Sequence, residues 1–157
     1  MLPILLSVLG AAPALQEAQA AYAGIAGETE VSVPRLEQAA DIDGFLDEPA
    51  WREASVLTGF SQYEPVDQRP AADTTRVLVW YSPTGIYFGI KAFDASGSVN
   101  ATLADRDRIE GDDYVQLLLD TFDDRRQAFL FGVNPFGIQQ DGNRTEGNRG
   151  GPAGASR

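Results

Sequence analysis

The chain of 157 residues contains neither cysteine nor histidine. Without cysteine there are no disulfides, no thiolate nucleophile and no zinc–thiolate site. Without histidine the commonest general base and the commonest transition-metal ligand are missing. Basic residues are scarce as well, 12 Lys and Arg against 23 Asp and Glu, for a formal net charge of −11. That balance excludes a nucleic-acid partner, whose phosphates demand a basic surface, and it disfavours docking on anionic lipid. Neutral ligands such as sugars, and cations such as calcium, stay open. Any catalysis must rest on carboxylates, as in glycoside hydrolysis, or on Lys91, Ser, Thr or Tyr.

What is present suffices for a packed core: 43% of residues are hydrophobic and 10% aromatic, over about one domain's length. The N-terminal stretch MLPILLSVLGAAPALQEAQA reads as a signal peptide over residues 1–20. Leu2 to Leu9 are apolar, and small-x-small cleavage patterns occur at Ala12-Pro13-Ala14 and Ala18-Gln19-Ala20. The run is too short for a comfortable membrane span. Export is therefore expected, to the periplasm, the outer membrane or the medium. Residues 21–33 are small and polar and read as a linker. Residues 143–157 are rich in Gly and Arg and read as a disordered tail. The folded part is expected over residues 34–142.

Within it the hydrophobic period is two. In TTRVLVWYSP, Val77, Val79 and Tyr81 point one way and Leu78 and Trp80 the other. Ser82-Pro83-Thr84-Gly85 supplies a turn, and Ile86, Phe88, Ile90 and Ala92 then alternate with Tyr87, Gly89, Lys91 and Phe93. Val115, Leu117 and Leu119 share one face of the next run, and Phe129, Phe131 and Val133 one face of the run after it. Between the hairpins, residues 94–111 form a polar excursion in which VNATLADRD is read as a short helix. In IDGFLDEPAW, Asp47 is expected to cap a helical turn with Pro49 just inside it. Trp51 then drops onto the sheet as a structural plug. The pattern predicts an all-β sandwich.

The acidic cluster Asp105, Asp107, Asp112 and Asp113, with Glu110, offers oxygen ligands for calcium, although the spacing is not that of an EF-hand loop. A solvated loop with local ion pairs to Arg106 and Arg108 is the other reading. Asp123-Asp124-Arg125-Arg126 reads as the polar tip of a hairpin, without the apolar pocket that a catalytic acid needs.

Taken in order, IDGFLDEPAW, TRVLVWYSPTGIYFGIKAFD and DDYVQLLLDTFDDRRQAFLFGVNPFGIQQDG resemble the family 9-like carbohydrate-binding domain, related to the DOMON sandwiches. The nearer likeness is to its version at the N-terminus of large exported bacterial proteins whose C-terminal part looks like an outer-membrane barrel. The resemblance covers about residues 36 to 142. It implies a jelly-roll-like antiparallel β-sandwich associated with polysaccharide breakdown, with carbohydrate as partner. Family domains continue past the Asp-Gly found here at Asp141-Gly142, so it also implies a sandwich incomplete at its C-terminal end and a partner domain missing from this chain.

The resemblance places Asn134 at a sugar-binding asparagine and Lys91 at a basic position. Gln116, on the outward set of the preceding strand, is expected to sit near Asn134. Tyr114, Tyr63 or Phe136 would stand in for the paired tryptophans of known sugar binders, since Trp51 and Trp80 fall on core-like positions. Arg106-Asp107 matches a recurring pair in the look-alike proteins and would tether its loop as a buried bidentate pair. Three functions follow as expectations: a non-catalytic carbohydrate-binding module, an interaction domain packing against the missing part, or the front of a glycoside hydrolase.

Overall fold

The computed structural model describes residues 19–62 and 69–145. Most of the expected signal peptide, Tyr63 and the tail beyond residue 145 lie outside the described residues. The described residues are mostly β, with one short helix and three small sheets of mostly antiparallel strands. It divides into two compact units, Met1–Phe93 and Asp94–Arg157. No helix among the described residues is long and apolar enough to cross a membrane.

The first unit is built on a four-stranded sheet. Its strands are β1 (Ala21–Ala23), β2 (Ser55–Thr58), β5 (Thr75–Ser82) and β6 (Gly85–Ala92), in the order β1-β2-β5-β6. β3 (Ser61–Gln62) and β4 (Arg69–Pro70) make a separate two-stranded ladder. The expected hairpin is present: β5 and β6 pair from Thr75↔Ala92 to Ser82↔Gly85 across Pro83-Thr84. The expected linker is not wholly a linker, because Ala21–Ala23 run parallel to β2 and Val56 N–H donates to Ala20 O at 2.8 Å. Small side chains there had suggested loop, but a parallel neighbour satisfies their backbone groups regardless of side-chain type.

The largest buried cluster lies on one face of this sheet, and Val77 and Val79 are buried on the other. Trp80 is fully buried between two partners: its ring stacks on Tyr87, directly opposite on β6, at 4.0 Å and 7°. It meets Trp51 edge-on at 5.9 Å and 77°. Ala50, Ala54, Val56 and Leu78 complete the buried cluster, with Leu36, Ala40 and Leu46 packed against it. Such aromatic pairs add about 1 kcal/mol each beyond area burial.

Trp51 is delivered by α1 (Pro49–Glu53), whose N-cap is Glu48 rather than the expected Asp47. Pro49 at the first helical position holds the residue before it extended, so the cap must fall on Glu48. The Glu48 carboxylate makes no capping bond. It accepts the Trp51 indole N–H at 2.8 Å and the Asp41 backbone N–H at 2.8 Å. The other end of α1 is satisfied by Gln19, whose amide donates to Trp51 O at 2.6 Å and Ala54 O at 3.2 Å.

The second unit is a three-stranded antiparallel sheet of β7 (Val115–Leu119), β8 (Gln127–Val133) and β9 (Gln139–Thr145), in that order. β9 carries strand structure to Thr145, so residues 143–145 belong to the sheet and not to a tail. The helix expected in VNATLADRD is absent. Asn100 and Thr102 instead bond across the loop to Gly111 O and Asp112, the local competition that keeps such residues out of helices. The hairpin tip is closed by carboxylates: Asp120 accepts the N–H groups of Phe122 and Arg125, and Asp124 those of Arg126 and Gln127.

Close packing on Trp51 makes Gly89 a sensitive position. A Cβ there would lie 2.8 Å from Leu46 Cδ2 and 3.0 Å from Trp51 Cζ3. Gly89→Ala is expected to lower stability by about 1–3 kcal/mol, measured as a shift in urea midpoint at unchanged slope. A neutral result would mean that Leu46 and the indole are not held in place.

Candidate binding face of the second unit

In an antiparallel ladder, residues directly opposite share a face. One face of the β7–β8–β9 sheet therefore carries Val115, Leu117 and Leu119, then Phe129, Phe131 and Val133, then Asn143, Asp141 and Gln139. The opposite face carries Gln116, Leu118, Leu130, Gly132 and Gln140.

The second of these faces is covered by the unit's own loop over Gly132 and Gln140, while Leu118 on the same face stays 44% exposed. Ile109, fully buried, packs over Gly132, where a Cβ would lie 3.3 Å from Ile109 Cδ1. Gln116 donates to Gln140 at 3.4 Å, and Gln140 donates to Glu110 at 3.5 Å. The same loop grips the outer edge of β9, where Asp107 N–H donates to Gln139 O at 3.0 Å and Asp107 Oδ1 accepts Asp141 N–H at 3.1 Å. Asp107 adopts a φ of 66°, in the left-handed region that aspartate tolerates better than most residues.

The first face remains open. Phe129, Phe131 and Val133 are 42%, 47% and 41% exposed, which is unusual for three apolar side chains in a row. Along its border, Arg106 reaches over β9 to pair with Asp141 and donates to Gln139 Oε1 at 3.2 Å. The Asn143 side chain has no partner among the described residues.

Asn134 sits just past β8 and is 3% exposed. Its amide nitrogen donates to Asp112 Oδ2 at 2.8 Å and Thr102 O at 3.0 Å, and its oxygen accepts the N–H groups of Phe136 and Ile138. Two donors and two acceptor sites are all that an asparagine side chain has. Asn134 is thus a fully committed staple that ties the 134–138 turn to the long loop, with no hydrogen-bonding capacity left for a sugar.

The other expected contacts disperse too. Gln116 lies on the loop-covered face and bonds Gln140, not Asn134. Tyr114 is exposed just before β7. Lys91 belongs to the first unit, exposed on β6 opposite Arg76. The expected calcium ligands are also separated in use. Asp107 serves β9, Asp112 accepts Thr102 Oγ1 and Asn134, and Asp113 accepts Asn100 N–H at 2.8 Å. Asp105 is exposed and takes no part in these bonds. Among the described residues no three carboxylates are grouped to hold a metal ion. Arg106 tethers its loop as expected in direction, but through exposed Asp141 and not as a buried pair with Asp107.

Sequence alternation had already put Phe129, Phe131 and Val133 on one face. What it could not show was that the loop would cover the other face, nor that Asn143, Asp141 and Gln139 would line up beside the phenylalanines.

Hydrogen bonds hold three carboxyls of this unit below their ordinary range. For Asp112 the main cause is the Asn134 amide, for Asp94 the Ser96 hydroxyl, and for Asp120 the Arg125 backbone N–H. A depressed folded-state pKa stabilises fully above the unfolded value of about 4, and that stability is lost as pH falls through the folded value. Acid is therefore expected to weaken the unit below about pH 4, and Asp112→Asn to reduce that pH dependence. Asn134→Ala is expected to cost about 3 kcal/mol near neutral pH. Urea titrations across pH check both, and an unchanged pH slope in Asp112→Asn would reject the staple.

Comparison of the chain with protein-family models, with curated proteins and with solved structures found no match.

Proposed function

We propose that this chain is a non-catalytic carbohydrate-binding module, with the jelly-roll type of sandwich that its motif order implies, in an exported bacterial protein concerned with polysaccharides. The observation that carries the reading is the open face of the second sheet. Exposed Phe129 and Phe131 stand directly opposite Asn143 and Asp141, and Arg106 and Gln139 border the same row. Phenyl faces suit the C–H surface of a sugar ring. The Asn143 amide, the second Asp141 oxygen and the Gln139 nitrogen can meet hydroxyls as donors and acceptors. The contact residues of this reading are thus Phe129, Phe131, Asn143, Asp141, Gln139 and Arg106. Asn134 holds the scaffold.

The carboxylates support a binding role over catalysis. Among the described residues, the carboxyl shifts at Glu48, Asp94, Asp112 and Asp120 are all downward. A general acid at neutral pH requires the opposite.

One observation favours a second reading. Val115, Leu117 and Leu119 extend the phenylalanine row into six adjoining apolar side chains, more than a sugar ring needs. Such a face suits a protein surface, as in an interaction domain.

Calorimetric titration against a panel of soluble polysaccharides separates the two. Both tryptophans lie in the first unit, remote in sequence from this face, so indole fluorescence is the poorer probe. Saturable binding is expected, weakened about tenfold by Phe131→Ala and also reduced by Asn143→Ala, with the unfolding midpoint kept. Failure to bind any polysaccharide, or binding indifferent to Phe129 and Phe131, would reject the sugar module. Loss of a hydrophobic dye's binding in a Phe129→Ala/Phe131→Ala variant would then support the interaction domain.

A further inference from the structure

β6 closes one side of the four-stranded sheet and has β5 as its single neighbour among the described residues. The closing pair Ser82↔Gly85 spans only two loop residues, so those two exchange hydrogen bonds with each other. Bonding direction then alternates along the strand. Gly85, Tyr87, Gly89 and Lys91 bond inward to β5, and Phe93 N–H donating to Thr74 O at 2.9 Å continues that series. The backbone groups of Ile86, Phe88, Ile90 and Ala92 therefore point outward, away from β5, and no bond to them occurs among the described residues.

An edge of this kind is a template for another strand unless something blunts it. β6 runs unbroken for eight residues with no proline, and its one charged residue is Lys91. β1, at the opposite side of the sheet, is only three residues long. The lone charge near one end and the glycine at the other make β6 complementary to itself. Turned about a two-fold axis through Phe88, Ile86 falls opposite Ile90 of the second copy and Phe88 opposite its counterpart. Tyr87 falls opposite Gly89, and Lys91 opposite Gly85. No like charges face each other, large side chains meet small ones on the core face, and the outward groups of Ile86, Phe88 and Ile90 all find partners. The pairing also covers Ile86, which is 58% exposed.

We propose that two copies of this chain associate through antiparallel β6–β6 pairing centred on Phe88, joining two four-stranded sheets into one of eight strands. The occupant of the edge is a second copy because the register that satisfies the backbone is also the one that pairs isoleucine with isoleucine and separates the lysines. This association is independent of the sugar-binding reading.

The test uses the full chain in sedimentation velocity over a wide range of concentration, with circular dichroism confirming the fold of each variant. Wild type is expected to form a dimer. Ile86→Lys/Ile90→Lys places lysines opposite lysines and is expected to weaken dimerisation by about tenfold or more. Ile86→Lys/Ile90→Glu replaces the same two isoleucines but sets opposite charges across the two-fold, and is expected to restore the dimer. A monomeric wild type, an assembly indifferent to the two lysines, or no recovery in the Lys/Glu variant would each overturn the proposal.

Discussion

Backbone N–H groups in irregular segments must find acceptors, and here side-chain carboxylates and one amide supply them. Asp94 closes its turn onto Ser96 and Ser98, Asp113 receives Asn100, Asp120 and Asp124 shape the β7–β8 loop, and Asn134 gathers Phe136 and Ile138. In the first unit Glu48 accepts Asp41, and Glu28 accepts Ala23 at 2.7 Å. The acidity of the chain is therefore in large part a structural device. A carboxylate that caps a loop is charged and an acceptor only, so its bond to a backbone N–H is charge-assisted, which a hydroxyl's is not.

That use of carboxylates bears directly on function. An acidic loop with Asp105, Asp107, Asp112 and Asp113 close in sequence suggests a cation site on composition alone. In the folded unit Asp107, Asp112 and Asp113 face different partners, and the cluster serves to hold the loop against β9 and the 134–138 turn. The loop in turn covers the Gly132 region of one side of the β7–β8–β9 sheet through Ile109 and leaves the phenylalanine row of the other side exposed. The exposed phenylalanine row and the polar border along β9 are thus consequences of where the loop goes.

The first unit follows a different economy. Trp80 on β5, Tyr87 opposite it on β6 and Trp51 from α1 form one aromatic cluster, and Gly89 leaves the space that Leu46 and the Trp51 ring fill. The aromatic packing is concentrated on one face and on the middle of the sheet. Its outer strand β6 keeps a full set of outward backbone groups, which is what makes that edge a candidate for association.

Period-two alternation determined the strands β5, β6, β7 and β8 and which of their residues share a face, because side-chain direction in a strand depends only on parity. Pro49 before Trp51 likewise signalled the single helical turn, since proline fixes the dihedral that starts it. Other features depended on contacts distant in sequence. Asn134 looked like a ligand residue until Asp112 and Thr102, 22 and 32 positions away, were seen to take both of its donors. Ala21–Ala23 looked like linker because its small side chains have no period, yet a parallel neighbour recruits it through the backbone alone. Which face of the second sheet stays open was decided by Ile109, on a loop whose polar sequence has no period to read. Strand identity is a local property of side-chain order, whereas exposure and hydrogen-bond commitment are set by whichever remote segment arrives, and only the tertiary structure decides that.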